Sequence, residues 1–448
     1  EQGHFIEAAI LFERAVNLGK TKDIYCKLLN CLFEVKNYKK AIKYAIEMYN
    51  LYQEDDNAVA FMAKALTYNG DMHEAEKLCV NYLKEHTNSA PVWTELGYLK
   101  ELLYCDNKQA CECFKLALEN GDRWALYNIA VSHMKQGNYT EAEKYFKALL
   151  TERPNNEDAN VSLGMLYLKQ RKFKEGYDLF FQRKYGRMVR DHKNFWKPGD
   201  SLENEILIIS DQGFGDHIQF VRYLPKLLER VKKVYMIERK TLRNLFSKNY
   251  PQVKFIEPEE IDANMQLVRI TDLAYVLGID FENIPFSKGY IKSEKMEIVS
   301  DKPKVGLCWQ AGATGIRTMI NRSIPINDID RICNLENIQL YSLQFQNSDG
   351  IQKYPNMIDL AKDFTNFEDT AKAIMAMDIV ITVDTSIAHL AGALGVKTFL
   401  LLPKASDWRW FSDTKVTPWY SSIEIFKQED DINWENPICD IAERLKAL

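Results

Sequence analysis

The densest chemistry in this chain lies in DIVITVDTSIAHLAGALGVKTFLLLP, residues 378–403. An apolar run reads as a buried strand ending at Val383. Asp384-Thr385-Ser386 then supplies side chains that cap a helix start, and Ser386 to Leu394 reads as a helix rich in small residues. Thr385 and His389, four apart, share a face near its beginning. Ala388 and Gly392 keep a neighbouring face low. Free N–H groups, a hydroxyl and an imidazole at a helix N-terminus make a cradle for a diphosphate. Taken singly, Asp384 could be a helix cap alone, and His389 a satisfied buried histidine. Metal chemistry is not expected. Asp328-Ile329-Asp330 is a D-x-D triplet, but it falls in a predicted helix, NDIDRICN, where helix-start carboxylates account for it. The nine cysteines include no C-x-x-C and are odd in number, which reads as reduced, buried thiols in a cytoplasmic protein.

The elements that must position these groups alternate. EILIIS (205–210), VYMIE (234–238), VKFIE (253–257) and QLVRI (266–270) read as strands. DQGFGD reads as a loop after the first, followed by IQFVRYLPKLLERV as a helix. After a looser stretch, 280–303, the cycle restarts with KVGLCW (304–309), IQLYSLQ (338–344), DIVITV (378–383) and KTFLLL (397–402). Strand–helix alternation implies parallel sheets with ligands at their C-terminal edges. The expected fold is two Rossmann-like domains facing a cleft, 203–295 and 296–448, with the last helix (434–448) able to cross back to the first.

The first 185 residues follow a different rule. Ala63, Gly97, Ala130 and Gly164 recur at intervals of 34, 33 and 34, and Ala8, Ala41, Ala75, Ala110, Ala142 and Gly176 keep a similar beat. Phe114, Phe146 and Phe180 do the same. A period near 34 is the tetratricopeptide length, a helix–turn–helix unit whose small residues let backbones approach. LYNIAVSHMKQGNYTEAEKYFKALLTERPNN (126–156) resembles that consensus throughout. The expectation is an all-α solenoid over 1–185 with an incomplete first repeat. Residues 186–202 form a linker. Within 183–200, where the repeat breaks, Arg183, Lys184, Arg187, Arg190 and Lys193 read as a solvated basic run, with a phosphate or acceptor contact as the alternative.

Composition narrows the classes. At 46% hydrophobic and 27% charged, with a formal net charge of −5, the chain is globular and has no global pull toward nucleic acid. No stretch approaches 18 apolar residues, so no membrane span is expected. The opening EQGHFIEAAILFERAV lacks the basic region of a signal peptide.

VDTSIAHLAGALG resembles the C-terminal motif of the heptosyltransferase-like GT-B glycosyltransferases. DQGFGDHIQFVRYLP (211–225) resembles their N-terminal glycine loop, in the variant found in bacterial proteins that join tetratricopeptide repeats to this domain. VGLCWQAG (305–312), NRSIP (321–325), YSLQ (341–344), DWRW (407–410) and PWY (418–420) are similar to that subgroup, so the resemblance covers roughly 196–435. It implies that Asp384, Thr385, Ser386, His389 and Gly392 hold the donor's diphosphate. It implies that Asp216 takes the acceptor proton, with Gln212, Gly213 and Gly215 of its loop at the substrate, though Asp216 could also cap the following helix. His217 is the second candidate base. Arg322 matches the basic position that offsets leaving-group charge, with Arg317 as a helper, and Gln344 lies where nucleotide contacts are expected. Each arginine could equally be an exposed loop residue.

The expected function is a metal-independent transfer of sugar from a nucleotide-sugar to a Ser or Thr hydroxyl of a protein such as flagellin. The repeats would recruit that protein, through Tyr98, Tyr127, Asn128, Asn160 and Tyr167 on the inner-face helices. No nucleic-acid partner is expected. The rivals are the same chemistry on a lipopolysaccharide or other glycan, and a catalytically dead scaffold that binds partners. Inverting stereochemistry is implied by the resemblance. Sugar and base are open.

Overall fold

Small residues at the repeat interval mark where helices meet. In the computed structural model, which describes residues 2–183, 193–262, 264–312, 322–345, 350–411, 415–429 and 433–448, nine helices fill the first of two compact units, Glu1–Pro154. They are α1 (Gln2–Leu18), α2 (Lys22–Glu34), α3 (Tyr38–Leu51), α4 (Asp56–Asn69), α5 (Met72–Leu83), α6 (Ala90–Tyr104), α7 (Asn107–Glu119), α8 (Ala125–Lys135) and α9 (Tyr139–Glu152). Successive helices pack as hairpins. A β-carbon on Gly97 of α6 would lie 2.6 Å from the Phe114 ring of α7, so glycine there is what admits the phenylalanine. Ala41, Ala75, Ala110 and Ala142 are fully buried at the matching positions of α3, α5, α7 and α9. Gly70, at φ +99°, ends α4 in the left-handed conformation that glycine adopts without strain. The N-terminal part is a tetratricopeptide-like helical solenoid.

The second unit, Asn155–Leu448, begins with one more helical pair, α10 (Glu157–Lys169) and α11 (Phe173–Phe180). Gly164 and Gly176 bring these two backbones together: a β-carbon on Gly164 would sit 2.8 Å from the Gly176 carbonyl oxygen. The array expected from the sequence ends at 185, but this last pair shares its apolar core with the sheets that follow, through Phe173, Tyr177, Phe180 and Phe181. The basic run also differs from its expectation. Arg183 is buried, donating to Asp211 Oδ2 at 2.8 Å and to Asp272 Oδ1 at 2.8 Å. Arg269 donates to the other oxygen of Asp272 at 2.6 Å. Two cations and two carboxylates therefore neutralise each other inside the unit, and Arg183 is a core residue, not part of a solvated face. Lys184, Arg187 and Arg190 lie outside the described residues.

Two sheets follow. β1 (Glu205–Ile209), β2 (Lys233–Ile237), β3 (Val253–Phe255) and β4 (Gln266–Arg269) are all parallel in the order β3-β2-β1-β4. The second sheet holds β5 (Lys304–Cys308), β6 (Gln339–Ser342), β7 (Met357–Asp359), β8 (Ile379–Val383), β9 (Thr398–Leu402), β10 (Val416–Thr417) and β11 (Tyr420–Lys427), ordered β10-β11-β9-β8-β5-β6-β7. Only β10 runs antiparallel. Val305 of β5 pairs with Leu340 on one side and Ile379 of β8 on the other. From that point the chain winds outward both ways, which creates a crevice beyond the C-terminal ends of β5 and β8.

All eight expected strands are present. β7, β10 and β11 are additional, being too short or too polar to stand out as apolar runs. DQGFGD is not all loop: the helix Phe214–Phe220 begins inside it. The long helix expected over 218–231 breaks into a 3-10 turn, Val221–Tyr223, and the helix Leu224–Leu228, with Pro225 at its first turn. The final helix, Glu435–Lys446, does not cross to the first sheet. Its stripe of Ile438, Ile441, Ala442 and Leu445 packs into the core beneath β5, β6 and β8.

Candidate functional site

Three neighbouring strand ends, those of β8, β5 and β6, place the chemistry. β8 ends at Val383, and Thr385 caps the helix Ser386–Leu394 by accepting from the Ile387 N–H at 3.2 Å. β6 ends just before Gln344, whose side-chain oxygen accepts from the N–H groups of Trp309 (3.2 Å) and Gln310 (2.9 Å). That oxygen therefore shapes the turn after β5. These segments line a cavity of about 390 Å³ at the β5/β8 crevice. Gln344, Thr385 and Ser386 all face it, together with Cys308, Gln310 and the ring of Phe214.

Asp216, Arg322, Asp384 and His389 do not line this cavity. They belong to a charged cluster with Asp407 and Arg409. Asp216 Oδ2 accepts from the Gly213 N–H at 3.0 Å, so it does cap its own helix. Its Oδ1 accepts from Arg409, which also donates to Asp407 at 2.8 Å. Arg322 approaches Asp384 at 3.6 Å with 30% of its side chain exposed, a loose pair, whereas Arg409 is only 12% exposed. Burial, with the Asp407 carboxylate beside it, pushes Asp384 above the usual carboxylate range, against the pull of Arg322. Burial works against charge on Asp407 as well, but Arg409 and Lys169 hold its carboxyl below that range.

His389 is enclosed. Its ring stacks on Trp410 at 5.0 Å between centroids, and its Nδ1 lies 2.9 Å from the Tyr420 hydroxyl. A β-carbon on Gly215 would be 2.7 Å from its Cδ2. Burial and then Arg409 press its pKa down to about 3, so the imidazole is neutral through the physiological range. Gly392 plays the matching part on the same helix: a β-carbon there would be 2.4 Å from the Tyr420 ring. Gln212 sits in the left-handed region at φ +66°, its carbonyl held by Arg239 at 2.8 Å.

His217 does not qualify as a base. It is fully buried, with Nδ1 on Glu238 at 2.9 Å and Nε2 on the Asp211 carbonyl at 2.7 Å. A carbonyl can only accept, so Nε2 already carries its proton. Arg317 lies outside the described residues. Asp330, in the D-x-D triplet, is taken by Tyr354 and Lys353. Among the described residues, no group of three or more His, Cys, Asp or Glu could hold a metal ion, and no helix is long and apolar enough to cross a membrane. Arg409, Asp407 and Tyr420 join the site although the residue pattern did not single them out. Their one signal is charge or hydroxyl set among aromatics in DWRW and PWY.

Residues 123–162 match the model of the Fis1 C-terminal tetratricopeptide repeat. The chain carries tetratricopeptide repeats. Protein FlbA of Caulobacter vibrioides is 23% identical to it, over 61% of this chain and 52% of FlbA, so the chain spans about half the length of that relative. Among solved structures, a thermophilic TPR protein of Thermus thermophilus is 17% identical with a TM-score of 0.34, covering 37% of this chain and 92% of that one. YrrB, a TPR protein with an unusual peptide-binding site, is 19% identical with a TM-score of 0.28, over 41% of this chain and 95% of YrrB.

Within the tetratricopeptide repeats, the expected peptide-facing residues are more enclosed than their types imply. Asn128 is buried, and its oxygen accepts from the Tyr98 hydroxyl at 3.0 Å. Tyr98 and Tyr127 are half-buried, their rings set edge-on against Phe114 and Phe146. Asn160, also buried, and Tyr167 stand on α10 in the second unit. The two asparagines are thus buried within their own helical pairs and are not open groove-lining amides.

Proposed function

We propose that this protein is a metal-independent glycosyltransferase of GT-B type. It would move a sugar from a nucleotide-sugar to a Ser or Thr hydroxyl of a protein recruited by its tetratricopeptide repeats. The observation that carries this reading is the position of the 390 Å³ cavity, at the switch point between β5 and β8 and beside a capped helix start. Doubly wound sheets bind nucleotides at such points. The adjoining cluster offers the rest of the chemistry. Asp216 is the carboxylate available to take the acceptor proton as the hydroxyl attacks the anomeric carbon. Arg322, only loosely held by Asp384, can turn toward the leaving diphosphate at small cost. The tetratricopeptide repeats fit a protein acceptor.

One observation favours a second reading, partner binding without transfer. Both arginines of the cluster already face carboxylates, Arg322 on Asp384 and Arg409 on Asp216 and Asp407. Incubation of the purified chain with ADP-, UDP-, GDP- and CMP-sugars separates the two. Release of the nucleoside diphosphate or monophosphate from one donor, with a rise in melting temperature for the same nucleotide, supports transfer. No release and no shift with any of them supports the scaffold.

A further inference from the structure

A chain of polar contacts runs behind His389. Arg222 is fully buried and has no carboxylate within ion-pair distance among the described residues. It donates instead to the carbonyls of Gln219 and Trp419, both at 2.9 Å, and to the Tyr290 hydroxyl at 3.3 Å. Its guanidinium lies over the rings of Tyr290 (4.6 Å) and Tyr420 (4.7 Å). Tyr290 gives its own proton to the Ile218 carbonyl at 2.7 Å, since a carbonyl can only accept. Tyr420 then has two directions for its proton. The Tyr290 oxygen is 3.5 Å away, outside good O–H···O range, whereas His389 Nδ1 is at 2.9 Å. The Arg222 cation also favours the hydroxyl oxygen turning toward it and the proton pointing away.

We propose that Tyr420 is a positioning residue for His389: its hydroxyl donates to Nδ1 and so fixes the imidazole proton on Nε2. Nε2 has no hydrogen-bond partner among the described residues and lies beside Gly215, where the glycine loop passes. The ring cannot turn to exchange its nitrogens, because Trp410 covers its face and Gly215 abuts its Cδ2 edge. Burial and the flanking Arg409, Arg222 and Arg322 keep it from taking a second proton, against the opposing pull of Asp407. The result is a neutral ring that offers one fixed N–H to an anionic oxygen at the glycine loop. That last step rests on the glycosyl-transfer reading; the tautomer does not.

The test is nitrogen-15 spectroscopy of the full chain labelled at its seven histidines. The His389 signals are assigned with His389→Gln or, where that variant does not fold, by the contacts of its ring protons with Trp410. The expected spectrum has Nε2 protonated and Nδ1 bare, unchanged from about pH 8 down to about pH 5. In Tyr420→Phe, both signals should move toward each other as the tautomers mix. A wild-type proton on Nδ1, or an imidazolium in that range, overturns the proposal without any variant being needed. So does a folded Tyr420→Phe with an unchanged ring. ADP, UDP and GDP are then added in turn. A shift of Nε2 with one of them supports its role as donor. A bare-Nδ1 spectrum that no nucleotide perturbs supports the tautomer and overturns the contact of Nε2 with the nucleotide.

Discussion

Gly215 and His389, 174 residues apart in sequence, touch so closely that no β-carbon fits between them: one on Gly215 would be 2.7 Å from the ring. The glycine loop after β1 and the helix after β8 are thereby locked together. Gly215→Ala should force one of them to move, costing about 1–3 kcal/mol as an overpacked contact does, and should weaken nucleotide binding. Gly213→Ala is the control, because its β-carbon would meet only Asp216 Oδ2 at an ordinary 3.4 Å. Urea unfolding of both variants checks this; equal loss in the two would refute the locking contact.

Asp216 has three roles open to it: cap, ion-pair partner of Arg409, and proton acceptor. Asp216→Asn keeps the cap oxygen for Gly213 but cannot take a proton. Loss of a general base costs ~10²–10⁴-fold in rate, so sugar transfer should fall by that much while donor affinity stays within a few-fold. Parallel titration calorimetry and transfer assays separate the outcomes. Near-normal transfer by a folded Asp216→Asn would remove it as the base, and the enclosed His217 could not replace it.

The contrast between these residues and the strand–helix frame shows what sequence reading can reach. The β8–helix segment is legible because its signals are local: an apolar run, then a capping hydroxyl, then small residues. The repeat is legible because it recurs. The Asp216–Arg409 contact joins residues 193 apart and leaves no local trace. Arg183 misleads for a related reason. A basic residue beside other basic residues resembles a solvated face until folding brings Asp211 and Asp272 against it. The final helix shows by its apolar stripe that it packs, but not on which sheet, so both placements are open in the sequence.

Arg183 holds that network together. Arg183→Met would leave Asp211 and Asp272 sharing one buried cation, Arg269. Removing one member of a buried ion cluster typically costs about 3–5 kcal/mol. Chemical denaturation of the second unit should show a loss of that order. A loss below roughly 1 kcal/mol, the worth of a surface pair, would mean that the network is open to water.

Lys169 on α10 is buried, with its ammonium on the Ser406 carbonyl, and burial pushes its pKa down to about 8. The ordinary lysine value is 10.5, so between about 8 and 10.5 the unfolded chain binds a proton that the folded chain does not. Stability from this group therefore rises with pH across that window, and the penalty is fully present below it. Lys169→Met should be more stable than wild type at pH 7, by roughly 2–4 kcal/mol from the size of the shift. That advantage should shrink as pH approaches 10. A pH-independent difference between the two proteins would show that Lys169 is not the titrating group.

The last prediction concerns where the chain can be cut. A fragment starting at 196 lacks α10, α11 and Arg183, and with them Phe173, Tyr177, Phe180 and Phe181 of the shared core. It should be insoluble or unfolded, because an apolar surface loses its cover and Asp211 and Asp272 are left with one buried cation, Arg269, between them. A fragment of residues 155–448 keeps all of these within one unit. It should fold, bind nucleotide like the full chain, and hydrolyse the donor at a similar rate. If the tetratricopeptide repeats of residues 1–154 recruit the acceptor, transfer to intact protein should fall at least tenfold, equivalent to about 1.4 kcal/mol of lost acceptor binding. Transfer to a short Ser/Thr peptide at saturating concentration should be spared. Equal transfer to intact protein by 155–448 and by the full chain would refute recruitment by the first unit and leave α10–α11 as the part of the array the reaction needs.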